Sequence, residues 1–413
     1  MLLSPNITRL ILVRHGRSTL NDQQRYQGSS DEAVLNETGW FQAKQIGAWL
    51  PLDSVDAVYV SPLRRAQQTV EGIFAEQKPR SASSELRTPI AVGTRQQDSA
   101  TVAAVQRSPK PQSAPHPNLA QWLHTNPLLR EIDLPEWQGL PYADVKQHYA
   151  SDYQRWKKQP HAFRQGGIYP VSDLYGRSQA FLRTVVPNHR GHTLLVVSHG
   201  GTNHALISTA LGLPPNTHHC LQQSNGGVSI LDYDHLQQRF QLQSLNATQH
   251  LGECLPKLKE GKRGIRLLLV PVEDGSADRK ALASLASLGL SFCLTQNHPS
   301  IQAVAQPLLQ AESALLQTRM LPSDWLAACH TMLTQHRNVD NLMTGVAIAT
   351  PALIQQLIAQ AIAPSQSPAL ALEPGTISVI HSPADHVPIL QAMNINLGLC
   401  PIAIDSDIQW LKP

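Results

Sequence analysis

Leu10-Ile11-Leu12-Val13-Arg14-His15-Gly16-Arg17-Ser18 is the stretch that most restricts the folds open to this chain. An apolar run broken off by an arginine, a histidine and a glycine predicts a buried parallel strand. Its C-terminal end then lies at the edge where open α/β sheets keep their ligands. An imidazole held there beside a fixed guanidinium can attack phosphorus. Arg14 would hold phosphoryl oxygens in bidentate fashion, and Gly16 would let the main chain approach the anion. Taken alone, the three residues fit equally well a strand end with two solvated polar side chains.

The chain has 413 residues, with 33 Lys plus Arg against 30 Asp plus Glu and a net charge of +3. That length exceeds one ordinary core and implies about two or three domains. A nearly neutral chain gives no reason to expect nucleic acid or a membrane surface as partner. The first strand begins within about ten residues, leaving no room for a signal or transit peptide, and no apolar run approaches the roughly 18 residues that span a bilayer. A soluble cytoplasmic protein is expected. Cys220, Cys254, Cys293, Cys329 and Cys400 are scattered and form no Cys-x-x-Cys pair, so they read as reduced packing residues. Only His218 and His219 are adjacent among the histidines, and no helical His-x-x-x-His signature occurs. No metal and no cofactor are expected.

Arg17 to Asn36 reads as a loop above the active edge, Gly39 to Leu50 as a helix and Val55 to Val60 as a second strand. Ser61-Pro62-Leu63-Arg64-Arg65 then passes from strand to helix, where free N–H groups and the dipole suit a dianion. Residues 77–126, rich in Ser, Pro, Gln and Thr, read as a flexible insertion at the opposite edge of the sheet. A strand is expected to deliver Leu128-Leu129-Arg130-Glu131. Residues 132–187 place Trp137, Tyr142, Tyr149, Tyr153, Trp156, His161, Phe163, Tyr169 and Tyr175 among polar residues, and are well situated to cap the pocket. Core packing accounts for most of these aromatics, and Tyr169 is the candidate for substrate contact. Thr193 to Val197 is the last strand of this set, ending in Ser198-His199-Gly200-Gly201 before an apolar helix from Ala205 to Leu213. That places His199 at a helix N-terminus beside His15, with His204 read as a satisfied helix histidine. Gly227 to Asp232 and Arg239 to Leu245 form a hairpin-like pair.

Arg14-His15-Gly16-Arg17-Ser18 with Asn21, then Arg25-Tyr26-Gln27-Gly28, Leu35-Asn36-Glu37-Thr38-Gly39, Ser61 to Thr69, Leu129-Arg130-Glu131 and Val196 to Gly201 together resemble the histidine phosphatase (phosphoglycerate mutase-like) superfamily. The resemblance implies a three-layer α/β/α domain and phosphohistidine chemistry. His15 would be the nucleophile, Arg14, Arg65 and His199 would hold the phosphoryl oxygens, and Glu131 would give the leaving oxygen its proton. A carboxyl near a phosphate dianion is favoured in its protonated form by like-charge repulsion, which suits that role; Asp133 and Glu136 are the alternatives. Arg64 becomes the surface partner of Arg65. The same resemblance makes Asn21, Arg25, Gln27, Gly28 and Gly200 substrate-binding candidates, with ordinary loop capping as the alternative for Asn21, Arg25 and Gln27.

Gly166-Gly167-Ile168-Tyr169-Pro170-Val171 departs from the Gly-Gly-Glu-Ser pattern common in the superfamily. With Gln27 to Asp31, Arg130 to Leu134 and Leu221 to Ser229, it resembles the 2-carboxyarabinitol-1-phosphatase branch known from plants. That branch implies a small phosphorylated sugar or sugar acid as partner, 2-carboxyarabinitol 1-phosphate or a related Rubisco-inhibitory sugar phosphate. A phosphoglycerate mutase, a phosphatase for phosphoserine or fructose 2,6-bisphosphate, and a non-catalytic scaffold stay open, and a homo-oligomer is compatible with each.

Residues 1–246 thus form the catalytic unit, 247–264 read as a linker, and 265–413 read as a degenerate copy of the same fold. Arg266 to Glu273 lies over Arg9 to Gly16, putting Pro271 and Val272 at the places of Arg14 and His15. Val346 to Ile362 lies over the strand and helix of Thr193 to Leu211, with His199 falling on Thr350. Gly375 to Ile380 echoes Gly226 to Leu231, and Gln391-Ala392-Met393-Asn394 echoes Gln243-Ser244-Leu245-Asn246. Thr295-Gln296-Asn297-His298-Pro299 offers no arginine at the place of Arg65. A separate site built from His298, His330 and His381 is the alternative to a unit without chemistry.

Overall fold

The computed structural model describes residues 3–75, 122–273, 285, 288–311, 316–335, 341–384 and 386–396. Most of the expected insertion, and Cys400, lie outside these residues. The first half runs β1 (Ile7–Arg14), α1 (Thr19–Asp22), α2 (Glu37–Trp49), β2 (Ala57–Val60), α3 (Arg64–Phe74) and β3 (Leu123–Thr125). It continues through α4 (Tyr142–His148), α5 (Ala150–Lys158), α6 (Pro170–Val185), β4 (Thr193–Ser198), α7 (Gly200–Ala210), β5 (Val228–Asp234) and β6 (Arg239–Ala247). The second half runs β7 (Gly264–Pro271), β8 (Phe292–Gln296), α8 (Pro299–Ala311), β9 (Leu316–Met320), α9 (Pro322–Gln335), β10 (Leu342–Ala349), α10 (Pro351–Ile362), β11 (Ile377–Ser382) and β12 (Ile389–Ile395).

Alternation in β1 decides the layering. Ile11 and Val13 face α2 and α3 with Val58, Val60, Leu195 and Val197, while Leu10 and Leu12 face α6 and α7 with Leu194 and Val196. Both faces of the parallel strands are therefore covered, as continuous apolar strands require. The first half is the expected three-layer α/β/α arrangement. Two local expectations change. Pro127–Leu129 is a 3-10 turn rather than a strand, because Asn126 caps it through Leu128 N and Pro127 starts it. The strand lies earlier, at Leu123–Thr125, parallel to β2, and the buried Trp122 precedes it, so the end of the expected insertion, from Trp122 to Asn126, packs with the sheet.

All strands join one sheet in the order β3-β2-β4-β1-β5-β6-β12-β11-β7-β10-β8-β9. Counted inward from either edge, the strands of each half follow the same sequence: third, second, fourth, first, fifth, sixth. Registers match as well. Arg14 pairs with Ser198, and His15 N donates to Ser198 O at 2.9 Å; Pro271 pairs with Ala349, and Val272 N donates to Ala349 O at 2.9 Å. His199 and Thr350 each stand at a helix N-cap.

The seam between halves is reciprocal. Asn246 Nδ2 donates to Gln391 O at 2.9 Å, and Asn394 Nδ2 donates to Gln243 O at 2.7 Å. Gln222 N donates to Leu390 O and Leu390 N to Cys220 O; on the other side Ala371 N donates to Leu242 O and Leu242 N to Ala369 O. Each contact made by one half is returned by the other, the isologous pattern of a two-fold interface. One apolar core crosses this seam, from Leu10 and Leu206 through Leu245 and Met393 to Leu269 and Ile358.

The connecting stretch is fixed to both halves. Pro256 O accepts from Arg266 Nη2 at 3.1 Å and from Gln391 Nε2 at 2.7 Å, while Lys257 O accepts from Gln222 Nε2 at 3.0 Å. Lys157 Nζ reaches both Glu260 oxygens at 2.9 Å.

Asn246 is fully buried with φ of 53°, and its amide also accepts from Ser224 N at 2.7 Å. Asn246→Ala strands a buried carbonyl and a main-chain N–H and removes a residue that tolerates positive φ. It should lower unfolding free energy by about 2–4 kcal/mol, measured by urea denaturation. A loss within experimental error would mean that the seam does not depend on this amide.

Candidate active site

Three strand ends converge. β1 delivers Arg14 and His15, β2 passes through Ser61 into α3 and Arg65, and β4 passes through His199 into α7. His15 is 1% exposed, and Arg65 and His199 are fully buried. The two imidazoles stand edge to face with centroids 5.2 Å apart.

Each catalytic candidate is held by part of its polar edge, leaving another part unused. His15 Nδ1 lies 2.7 Å from Gly16 O. A carbonyl can only accept, so Nδ1 carries the proton and Nε2 keeps its lone pair. Arg14 Nη1 donates to Gln223 O at 2.8 Å; Arg65 donates from Nη1 to Ser30 O at 2.7 Å and from Nη2 to Gly28 O at 3.0 Å. His199 Nε2 lies 2.7 Å from Ser61 Oγ. Arg14 Nε, Arg65 Nε and His199 Nδ1 are buried without a partner. The two orphaned guanidinium N–H donors form a socket for an anion, and His199 Nδ1 adds to it in the tautomer that carries its proton there.

Burial pushes the His15 imidazole well below its ordinary value, with Arg65 and Arg14 adding to the effect, and the same forces act on His199. Both rings are neutral, as a nitrogen nucleophile must be. Burial also lowers Arg14, and lowers Arg65 to about 10, which leaves the clamp cationic at neutral pH.

Glu131 leaves the 3-10 turn and reaches the start of α7. Its Oε1 accepts from Thr202 N at 3.1 Å and Ile132 N at 2.9 Å, and its Oε2 from Gly201 N at 3.2 Å. Arg177 holds this loop by donating to Leu128 O, Arg130 O and Glu131 O. A β-carbon at Gly201 would stand 2.7 Å from Glu131 Oε1, so this approach of carboxylate to helix requires glycine.

A matching sequence signature, that of the histidine phosphatase superfamily (branch 1), covers residues 10–91 and 113–248, just over half of the chain. The chain belongs to that superfamily. A wheat 2-carboxy-D-arabinitol-1-phosphatase is 35% identical over 225 residues, 54% of this chain and 37% of the relative. A probable 2-carboxy-D-arabinitol-1-phosphatase of Arabidopsis thaliana is 32% identical over 225 residues, 54% of this chain and 38% of the relative. The match thus spans little more than a third of either plant protein. Phosphoserine phosphatase 1 of Hydrogenobacter thermophilus is 29% identical over 60% of this chain and 96% of its own. Among solved structures, a mycobacterial glucosyl-3-phosphoglycerate phosphatase aligns with 58% of this chain and 98% of its own, with a TM-score of 0.44 and 22% identity.

In this member of the superfamily the residues expected from the sequence separate into two groups. Arg14, His15, Asn21, Gln27, Gly28, Arg65, Glu131 and Gly200 all line one cleft of about 530 Å³, with His199 buried behind it. Asn21 Oδ1 accepts from Ser18 and from Asn225 Nδ2 at 3.0 Å, and Gln27 Oε1 accepts from Ser18 Oγ at 2.8 Å. Arg25 and Tyr169 are not in the cleft wall. Arg25 Nη1 donates to Gly139 O at 2.6 Å, and Tyr169 is 47% exposed under Arg164. Arg64 pairs on the surface with Asp31, as expected. His204 is satisfied by Leu221 N at 3.1 Å, stacks on His218, and also lines the cleft. The sequence reading missed Ser61 and Gln223, whose strand-end and Gln-Gln positions were visible, and the cleft residues Lys146, Lys157, Lys259, Glu260 and His386. Among the described residues no group of three or more His, Cys, Asp or Glu could hold a metal ion, and no helix is long and apolar enough to cross a membrane.

His15, His199, His204 and His218 are buried and depressed, chiefly by desolvation, His218 to about 4. In the unfolded chain they take up protons near pH ~6.5, while the folded state refuses them. Stability is therefore complete above that value and declines as pH falls below it, by up to about 1.4 kcal/mol per pH unit for each group. Urea midpoints measured between about pH 7 and about pH 5.5 should fall steeply. A constant midpoint over that interval would contradict the neutral burial of these rings.

Proposed function

We propose that the chain is a phosphomonoesterase that works through a phosphohistidine. The observation that carries this reading is the His15 ring, with Nδ1 pinned to Gly16 O and Nε2 free beside the orphaned Nε donors of Arg14 and Arg65 and the unpartnered Nδ1 of His199. Nε2 attacks phosphorus in line, the N–P bond forms and the P–O ester bond breaks. Arg14, Arg65 and His199 hold the equatorial oxygens where charge builds. The departing alkoxide takes a proton from Glu131. Water then attacks phosphorus, returns a proton to Glu131, and the N–P bond breaks to release phosphate.

The proposed substrate is 2-carboxy-D-arabinitol 1-phosphate or a related sugar phosphate. Support comes from the likeness to two plant proteins carrying that name over the catalytic half, and from the lysine-lined cleft. Phosphoserine is the second reading, favoured by the relative matched over 96% of its length. Residues 265–413 we read as a degenerate copy of the catalytic unit, supported by the repeated strand order and by Pro271, Val272 and Thr350 at the places of Arg14, His15 and His199. Such a unit has neither nucleophile nor clamp.

Inorganic phosphate release is to be measured on a panel containing 2-carboxyarabinitol 1-phosphate, phosphoserine, 3-phosphoglycerate and uncarboxylated sugar phosphates. Release should centre on a carboxylated sugar phosphate, vanish in His15→Ala, and fall about a hundredfold or more in Arg65→Ala. Full activity in Arg65→Ala would refute the clamp, and no release from any ester would refute the phosphatase.

A further inference from the structure

The far wall of the cleft is not built by the catalytic unit. Lys259 and Glu260 from the connecting stretch, and His386 and Ile389 from the second half, line the same cleft as Arg14, His15 and Glu131. Glu260 is committed to Lys157, which leaves Lys259 with no ion pair or hydrogen bond among the described residues. Its side chain lines the cleft and lies within electrostatic range of both Arg14 and Glu131. Desolvation holds its pKa well below the ordinary lysine value and Arg14 lowers it further, against Glu260 and Glu131, so an anion brought by a ligand favours its charged form.

The stretch bearing Lys259 is anchored on each side. Lys257 O accepts from Gln222 Nε2, Pro256 O accepts from Gln391 and Arg266, and Glu260 takes both contacts from Lys157 Nζ. A cation placed by such anchors is preorganised for an anion brought by a ligand. The phosphoryl socket already holds two guanidinium groups and two imidazoles. Lys259 borders the same cleft on a different element from Arg14 and Arg65, so it offers one further positive charge to an anionic group on the rest of the ligand.

We infer that Lys259 is a specificity residue that binds a carboxylate on the non-reacting part of the substrate, so that the connecting stretch and the second half complete the substrate site of the first. This rests on the phosphomonoesterase reading and narrows it to phosphate esters of small carboxylic acids. Ile389, at the start of β12, and His386 just before it make the second half part of the wall that carries the subsite.

The test compares a carboxylated sugar phosphate with the same sugar phosphate lacking the carboxylate, in the full chain. In Lys259→Met the ratio of their kcat/KM values should drop by about tenfold or more, mainly through KM for the carboxylated ester. Lys259→Arg should restore much of the ratio. An unchanged ratio, or an equal loss on both esters, would overturn the proposal, as would a bisphosphate that loses more than the carboxylated ester. If the unaltered protein hydrolyses neither ester, the phosphatase reading fails by itself. Calorimetric binding of both esters to the unaltered protein and to Lys259→Met then decides the subsite separately: loss of preference for the carboxylated ester upholds it, and an equal preference overturns it.

Discussion

Two guanidinium groups and two imidazoles share a dry pocket at the ends of three strands, and everything around them follows from the expense of that arrangement. Desolvation keeps both rings neutral, since a protonated His15 would be a third cation beside Arg14 and Arg65. Neutrality leaves one ring nitrogen with its lone pair, and the Gly16 carbonyl decides that it is Nε2. Main-chain carbonyls of Gly28, Ser30 and Gln223 take the outer edges of the guanidinium groups and leave the inner N–H groups unpaired. The site is thus under-satisfied in its resting state, and an anion relieves it.

Holding such a pocket demands a stiff frame. The sheet supplies it by continuing without a break through both halves, with a shared core across the seam. The second half has the same strand order, with Pro271, Val272 and Thr350 at the positions that correspond in register to Arg14, His15 and His199. At the place where His199 meets Ser61, the second half has Thr350 N donating to Gln296 Oε1 at 3.1 Å, a closed neutral hydrogen bond. The same backbone junction thus holds an imidazole in one half and an amide in the other.

Much of this was legible in the residues. The apolar run before Arg14, the Ser61-to-Arg65 passage and the Ser198-to-Gly201 passage are local, and each places its polar residues at a strand end by periodicity alone. Strand order in the second half could be anticipated because Arg266 to Glu273 retains the pattern of Arg9 to Gly16. Glu131 was placed at the active edge, yet on a strand where a proline-started 3-10 turn stands, because a short apolar pair such as Leu128-Leu129 carries no period. Arg25 is turned by a distant partner, Gly139, and Tyr169 follows a Gly-Gly turn that leaves it under Arg164, so no period in the sequence sets the direction of either. Lys259 was least visible. It sits in a polar stretch that reads as a connector, and only the folded chain brings it to the cleft that Arg14 also lines.

The returned hydrogen bonds at the seam are those of a symmetric pair of chains, but here the partners are covalently tied. Two separate chains with such an interface would part on dilution, and the first would lose the wall that the second lends. Tethered halves keep a local concentration on the order of millimolar whatever the bulk concentration. The composition of the cleft in this chain is therefore independent of how much protein the cell holds, and each half is free to diverge without having to match an identical copy.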